Sequence, residues 1–149
     1  MFESIIVPVD VAHPSSWRFA LPQAVALATP GRTRIAVMTV VRDLSAMFEG
    51  VHFAFQLEQL AQDAGRRLAR LVESAPLAAD GSAPAIEQEV RFGSIGHEIL
   101  ACAEERQADL IVMESHRPEM LDYVIGPNAA HVVQNARCSV FVLRRAEAV

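Results

Sequence analysis

The sequence predicts an α/β fold, a doubly wound parallel sheet of five strands with helices on both faces, on three observations. Five short, β-branched apolar runs recur along the 149 residues, and a helical pattern separates each from the next. Four of the five runs are nearly continuous in apolar character, as strands covered on both faces must be. Strict alternation of strand and helix implies right-handed crossovers, and hence strands that all point the same way.

The first run, "SIIVPV" (4 to 9), is followed by "PSSWRFALPQAVALAT", which opens on Pro and Ser as a helix should. Pro22 interrupts it and predicts a kink or a split into two pieces. The second strand is "RIAVMTVV" (34 to 41), and "RDLSAMFEGVHFAF" (42 to 55) is expected as a long connection that partly covers a site. "FQLEQLAQDAGRRLARLVESA" places Leu57, Leu60, Ala64, Leu68, Leu71 and Val72 at helical spacing with Arg and Glu opposite. "APLAADGSAPA" (75 to 85) is a turn-rich surface loop, and "IEQEVRF" (86 to 92) alternates as an edge strand does. "SIGHEILACAEERQ" is a helix with Ser94 in the capping position, "DLIVME" (109 to 114) the fourth strand, "PNAAHVVQNA" a short last helix, and "SVFVLR" (139 to 144) the last strand.

The length suits one domain, residues 1–149, able to fold without a metal or disulfide. A formal charge of −5 argues against nucleic acid as a partner. All 13 basic residues are Arg, so no phosphate-loop lysine and no Schiff-base lysine is available. Cys102 and Cys138 have no metal-ligand spacing and are expected as buried free thiols in a reducing compartment. The N-terminus lacks the features of a signal peptide and no run reaches the ~18 apolar residues of a membrane span, so a cytoplasmic protein without membrane insertion is expected.

In open sheets of this kind ligands bind beyond the carboxyl ends of the strands where the strand order reverses, here between strands one and four. Those ends read "VPVD", Pro8 to Asp10, and "VMESHRP", Met113 to Pro118. Gly126 followed by Pro127 marks a helix start, and the N–H groups of Asn128 and Ala129 are open to an anion although Pro127 removes one donor. Arg117 can pair with a phosphate or neutralise a neighbouring Glu. Glu114 stands against phosphate binding: a carboxylate within ~4 Å costs several kcal/mol at an effective dielectric near 20, unless it turns to solvent or coordinates a metal. Ser115, His116 and Asp10 superficially offer a nucleophile, a base and an acid, but adjacent residues leaving a strand usually diverge, and no catalytic residue is assigned.

From "IIVPVD" through "FGSIGHEIL" and "ADLIVMESHRP" to "GPNAAHVVQNARCSVFVLR", the chain resembles the universal stress proteins over essentially its whole length. It looks most like the branch whose strand-four loop reads Ser-His-Arg-Pro, then a Tyr, then a Gly-led helix. The resemblance implies strand order 3-2-1-4-5 in an adenine nucleotide alpha hydrolase-like fold. It also implies a homodimer through the last strand, and ATP or AMP at the switch point, with magnesium accompanying ATP. Asp10 would then meet the adenine amino group, with Val9 and either Val40 or Val41 serving adenine through backbone groups and packing. The family's phosphate pattern is Gly, two residues, Gly, nine residues, Gly, then Ser or Thr. Here Glu114 and Arg117 replace the first two glycines, Gly126 follows after eight residues, and Pro127 stands at the hydroxyl position.

Two functions of different kinds follow: a regulatory stress protein that senses an adenine nucleotide and changes its affinity for itself or for an unknown protein partner, or a dimeric adaptor of the same fold that has abandoned the nucleotide. Slow ATP hydrolysis is a third, weaker reading, because neither a lysine nor an assured general base is visible.

Overall fold

The computed structural model describes residues 1–42, 51–115 and 126–144. In chain order they form β1 (Ser4–Pro8), a 3₁₀ turn (Pro14–Ser16), α1 (Ala20–Leu27), β2 (Arg34–Arg42), α2 (Val51–Glu73), β3 (Ile86–Gly93), α3 (Ile95–Glu105), β4 (Leu110–Glu114), α4 (Pro127–Asn135) and β5 (Ser139–Leu143). The strands are all parallel, in the order β3-β2-β1-β4-β5.

Period-two alternation along the central strands sorts their side chains into two cores. Ile5, Val7, Ile35, Val37, Leu110 and Val112 pack against Ala20, Leu21, Ala24 and Val25 of α1 and Leu68 and Leu71 of α2. Ile6, Ala36, Met38, Ile111 and Met113 face the other way, onto Ile99, Cys102 and Ala103 of α3 and Ala129 and Val132 of α4. Each fully buried aliphatic side chain contributes about 1.5–3 kcal/mol, and the buried core is shared between the three central strands and the helices that cover them.

One local expectation needs correction, the start of α2, and two are met with a qualification. The stretch around Pro14 and Pro22 does divide: a 3₁₀ turn ends at Ser16 and α1 begins at Ala20. Pro22 therefore falls in the first turn of α1, between Leu21 and Gln23, whose N–H groups donate to the carbonyls of Trp17 and Phe19; the carbonyl its missing N–H would have met belongs to the exposed Arg18. Helix α2 starts at Val51, inside the stretch expected to be a connection; residues 43–50 of that connection lie outside the described residues. Ser94 does occupy the capping position of α3, but its hydroxyl makes no capping hydrogen bond.

Both edges of the sheet carry a device. On β3, the Arg91 guanidinium donates to Glu89 (2.8 Å), Glu98 (3.2 Å) and Glu105 (2.9 Å), while Arg106 of α3 donates to Glu87 (2.6 Å) and Glu89 (3.0 Å). These charges tie the edge strand to α3 and make it a poor template for another strand. On β5, Phe141 is 39 % exposed and Val140, Val142 and Leu143 are only partly buried, so this edge is apolar. Helices α3 and α4 approach closely at Gly96, where a Cβ would lie 2.6 Å from His131 Cδ2.

Candidate functional site

Strand β1 pairs with β2 on one side and β4 on the other, and at its carboxyl end those neighbours lead away on opposite faces. A crevice of about 740 Å³ opens there, on the α3/α4 side of the sheet. Its floor is Pro8, Met38, Val40 and Met113; one wall is Ile95, Ile99 and Asn128; the rim is Asp10, His13, Ser15, Ser16, Arg42 and Glu114. A second hollow of about 440 Å³, lined by Arg42, Gly93, Ser94, Ile95 and Asn128, shares three of these residues.

The expected residues divide. Pro8, Val9, Asp10, Val40, Met113, Glu114 and Asn128 all border the crevice. The choice between Val40 and Val41 is decided by alternation: Val40 packs on the α3/α4 side, and Val41 does not line the crevice. The Val9 side chain is buried in the opposite core and its N–H donates to the Met38 carbonyl at 2.9 Å, so Val9 meets the crevice with backbone alone. The Ala129 side chain is buried in the α3/α4 core. Gly126 and Pro127 precede it at the capping and first positions of α4, and none of the three lines either hollow. His116 and Arg117 lie outside the described residues.

Glu114 ends β4, and its Oε1 accepts hydrogen bonds from the backbone N–H groups of Phe19 (2.7 Å) and Ala20 (2.8 Å). These are the capping residue and first residue of α1, whose N–H groups have no carbonyl behind them within the helix. The carboxylate thus sits on the positive end of α1, and its charge is compensated by the fold itself. Neither solvent nor a metal is needed to explain its position.

Asp10 is equally occupied. Its Oδ1 accepts from Ala12 N–H at 3.0 Å, an Asx turn, and its Oδ2 lies 2.9 Å from His13 Nδ1. Ser16 completes the loop: its hydroxyl accepts from Asp10 N–H (2.8 Å) and contacts the carbonyls of Asp10 and His13. The carboxylate has room for further acceptor bonds, since two oxygens offer about four lone-pair directions. It therefore combines a turn-forming role with a place on the rim.

At the other end Ser115 Oγ accepts from Gly126 N–H at 2.9 Å, which pins the start of α4 to the end of β4. With Gly126 N–H used and Pro127 lacking one, the N–H groups of Asn128 and Ala129 are the first-turn donors without a partner among the described residues. Among the described residues no three His, Cys, Asp or Glu side chains gather as a metal would require. None of the described helices is long and apolar enough to cross a membrane.

Sequence reasoning missed Met38, Ile95, Ile99, His13, Ser15, Ser16 and above all Arg42. The readable signal was positional: β2 neighbours β1, so its carboxyl end belongs to the same rim as those of β1 and β4.

A parallel sheet wound on both faces, with an open crevice at its switch point, defines a doubly wound α/β protein. Residues 1–144 match the universal stress protein family, and the chain belongs to that family. Universal stress protein G of Shigella flexneri is 31 % identical over 155 residues, spanning 97 % of this chain and all of that protein. Among solved structures, that of hypothetical protein MJ0577 has a TM-score of 0.78 at 20 % identity, covering 99 % of both chains. A universal stress protein in complex with cAMP has a TM-score of 0.62 at 18 % identity, over 97 % of this chain and 98 % of that one. An Arabidopsis thaliana family protein with AMP bound has a TM-score of 0.61 at 16 % identity, over 97 % of this chain and 92 % of that one. At these identities the structures bear on the fold, which they share.

Proposed function

We propose that this universal stress protein binds an adenine nucleotide, ATP or AMP, in the crevice at the carboxyl ends of β1, β2 and β4, and acts as a regulatory protein and not as an enzyme. The observation that carries the reading is the engagement of Glu114 by α1. The residue that replaces the first signature glycine brings a charge, but that charge is already matched by two N–H donors and does not stand bare against a phosphate. A crevice of about 740 Å³ lies within the usual range of small-ligand sites, roughly 300–1,000 Å³. Fold neighbours solved with cAMP and with AMP support the ligand class.

In this reading the adenine lies over Pro8, Met38, Val40 and Met113, beside the Asp10 carboxylate, and the phosphates run toward Asn128. Magnesium, where present, arrives on the phosphates of ATP. The chain pairs with a second copy through β5, whose half-exposed Val140, Phe141, Val142 and Leu143 favour cover by another strand. Nucleotide binding then shifts affinity for the second copy or for a protein partner. Two free thiols fit a cytoplasmic setting.

Thermal unfolding with and without nucleotide tests the reading. A ligand at a hundredfold excess over its Kd adds about 2.7 kcal/mol, which raises the Tm of a protein this size by several degrees. A Tm unmoved by millimolar ATP and by millimolar AMP leaves the adaptor reading in possession.

A further inference from the structure

Arg42 stands at a junction. It is the last residue of β2, exposed, and it borders both the crevice and the second hollow, as do Ile95 and Asn128. The two spaces are therefore neighbours across one set of side chains. Their charge is sorted: the crevice rim has Asp10 and Glu114 at the β1/β4 end, both already bonded within the fold, and Arg42 at the β2 end. Among the described residues lining the second hollow Arg42 is the charged one, alongside Ser94 and Asn128, and the Glu98 carboxylate near Gly93 is paired with Arg91.

None of these three side chains is spoken for among the described residues. The salt bridges there do not include Arg42, and the Ser94 hydroxyl makes no capping bond. A guanidinium, a hydroxyl and a carboxamide that line one hollow, uncommitted among the described residues, have the donor set that a phosphate group takes, with Arg able to bind two oxygens at once.

We propose that Arg42, Ser94 and Asn128 form an anion subsite that receives the terminal phosphates of a nucleoside triphosphate, so that this chain grips the phosphate chain from the β2 wall. The proposal rests on the crevice being a nucleotide site. It also accounts for how a chain with Glu114 and Pro127 at signature positions holds a triphosphate: the missing backbone donors on the β4 side are replaced by a side-chain cation on the opposite side. On this proposal the subsite distinguishes nucleotides by phosphate count, because the longer phosphate chain reaches further along the shared wall.

Affinities of adenosine, AMP and ATP for the wild type, Arg42→Ala, Arg42→Lys and Asn128→Ala test it, with Tm recorded for each variant. Arg42→Ala is expected to weaken ATP about tenfold or more, the size of lost charge-assisted hydrogen bonds, and to change AMP and adenosine less than about threefold. Arg42→Lys should keep part of the ATP affinity, and Asn128→Ala, on the wall shared with the crevice, should weaken ATP by a smaller factor and AMP as well. Inorganic tripolyphosphate should compete with ATP on the wild type and fail to do so on Arg42→Ala. If wild type binds ATP and AMP but Arg42→Ala leaves ATP unchanged, or weakens both nucleotides equally, the subsite is overturned and the crevice reading stands. If wild type binds neither, both are overturned.

Discussion

The carboxylate of Glu114, at the tip of β4, accepts the backbone N–H of Ala20, the first residue of α1, at 2.8 Å. A second bond from Phe19 N–H at 2.7 Å makes one side chain the cap of a helix 94 residues earlier in the chain. The charge that looks hostile to phosphate in the sequence is a structural tie between β4 and the first helix. Glu114→Ala should therefore destabilise the protein by about 1.5–3 kcal/mol, the range for hydrogen bonds to a charged group. It should not tighten ATP binding. Urea midpoints and ATP affinity measured side by side check this; unchanged stability with tighter binding would show that the carboxylate faces the crevice.

Helix α3 meets α4 at Gly96, and this contact positions Ile95, Ile99 and Asn128 around the crevice. A methyl group there would lie 2.6 Å from His131 Cδ2 and 3.1 Å from Cγ, so the ring has to shift to admit it. Gly96→Ala is expected to cost about 1–3 kcal/mol by overpacking. The double variant Gly96→Ala/His131→Ala should recover most of the loss. Equal destabilisation in single and double variants would place the cause elsewhere.

Cys102 is fully buried, and burial first, then the charge and hydrogen bond of Glu89, push its thiol up to about 12. At pH 8 it should resist maleimide in the native protein, while Cys138, half-buried and with its thiol also raised by burial, reacts slowly. Unfolding should release both. Because the raised value belongs to the folded state, the unfolded chain ionises first: stability is full below the ordinary value of 9.0 and falls as pH climbs from there toward about 12. Mass spectrometry of labelled peptides reads the result, and rapid native labelling of Cys102 would contradict it.

The β3 edge gives the opposite pH behaviour. Arg106 holds Glu87 below the ordinary 4.5, and Arg91 does the same for Glu105. Burial pushes Glu89 up, but Arg106, Cys102 and Arg91 together outweigh it and leave it below 4.5. Carboxyls depressed in the folded state lend stability above their unfolded value and lose it as pH falls through 4.5 and below. Arg91→Met should flatten the fall of the urea midpoint between about pH 5 and pH 3. A slope identical to that of the wild type would remove the network from the account.

Much of the fold was legible because it depends on pattern. The near-continuous apolar runs of β1, β2 and β4 can exist only with both faces covered, and the alternation in "IEQEVRF" marks an edge, where β3 lies. What stayed hidden depends on contacts between distant segments. That Glu114 reaches Phe19 and Ala20, and that Arg42 from β2 shares a wall with Asn128 from α4, cannot be read from spacing, because a side chain's direction at a strand end is set by whichever neighbour offers it donors. The start of α2 was missed for a similar reason: "VHFAF" has no cap signal and its helicity follows from the helix it joins. Pro22 looked disruptive until the 3₁₀ turn at Pro14–Ser16 moved the helix start to within two residues of it.

The most direct measurement of the central claim is a calorimetric titration of ATP, and separately AMP, into the purified protein at neutral pH with magnesium present. A crevice that is an adenine-nucleotide site predicts a saturable heat with one site per chain and a Kd below about 100 μM, or roughly −5.5 kcal/mol. Heats no larger than dilution at millimolar concentrations of both nucleotides would contradict it.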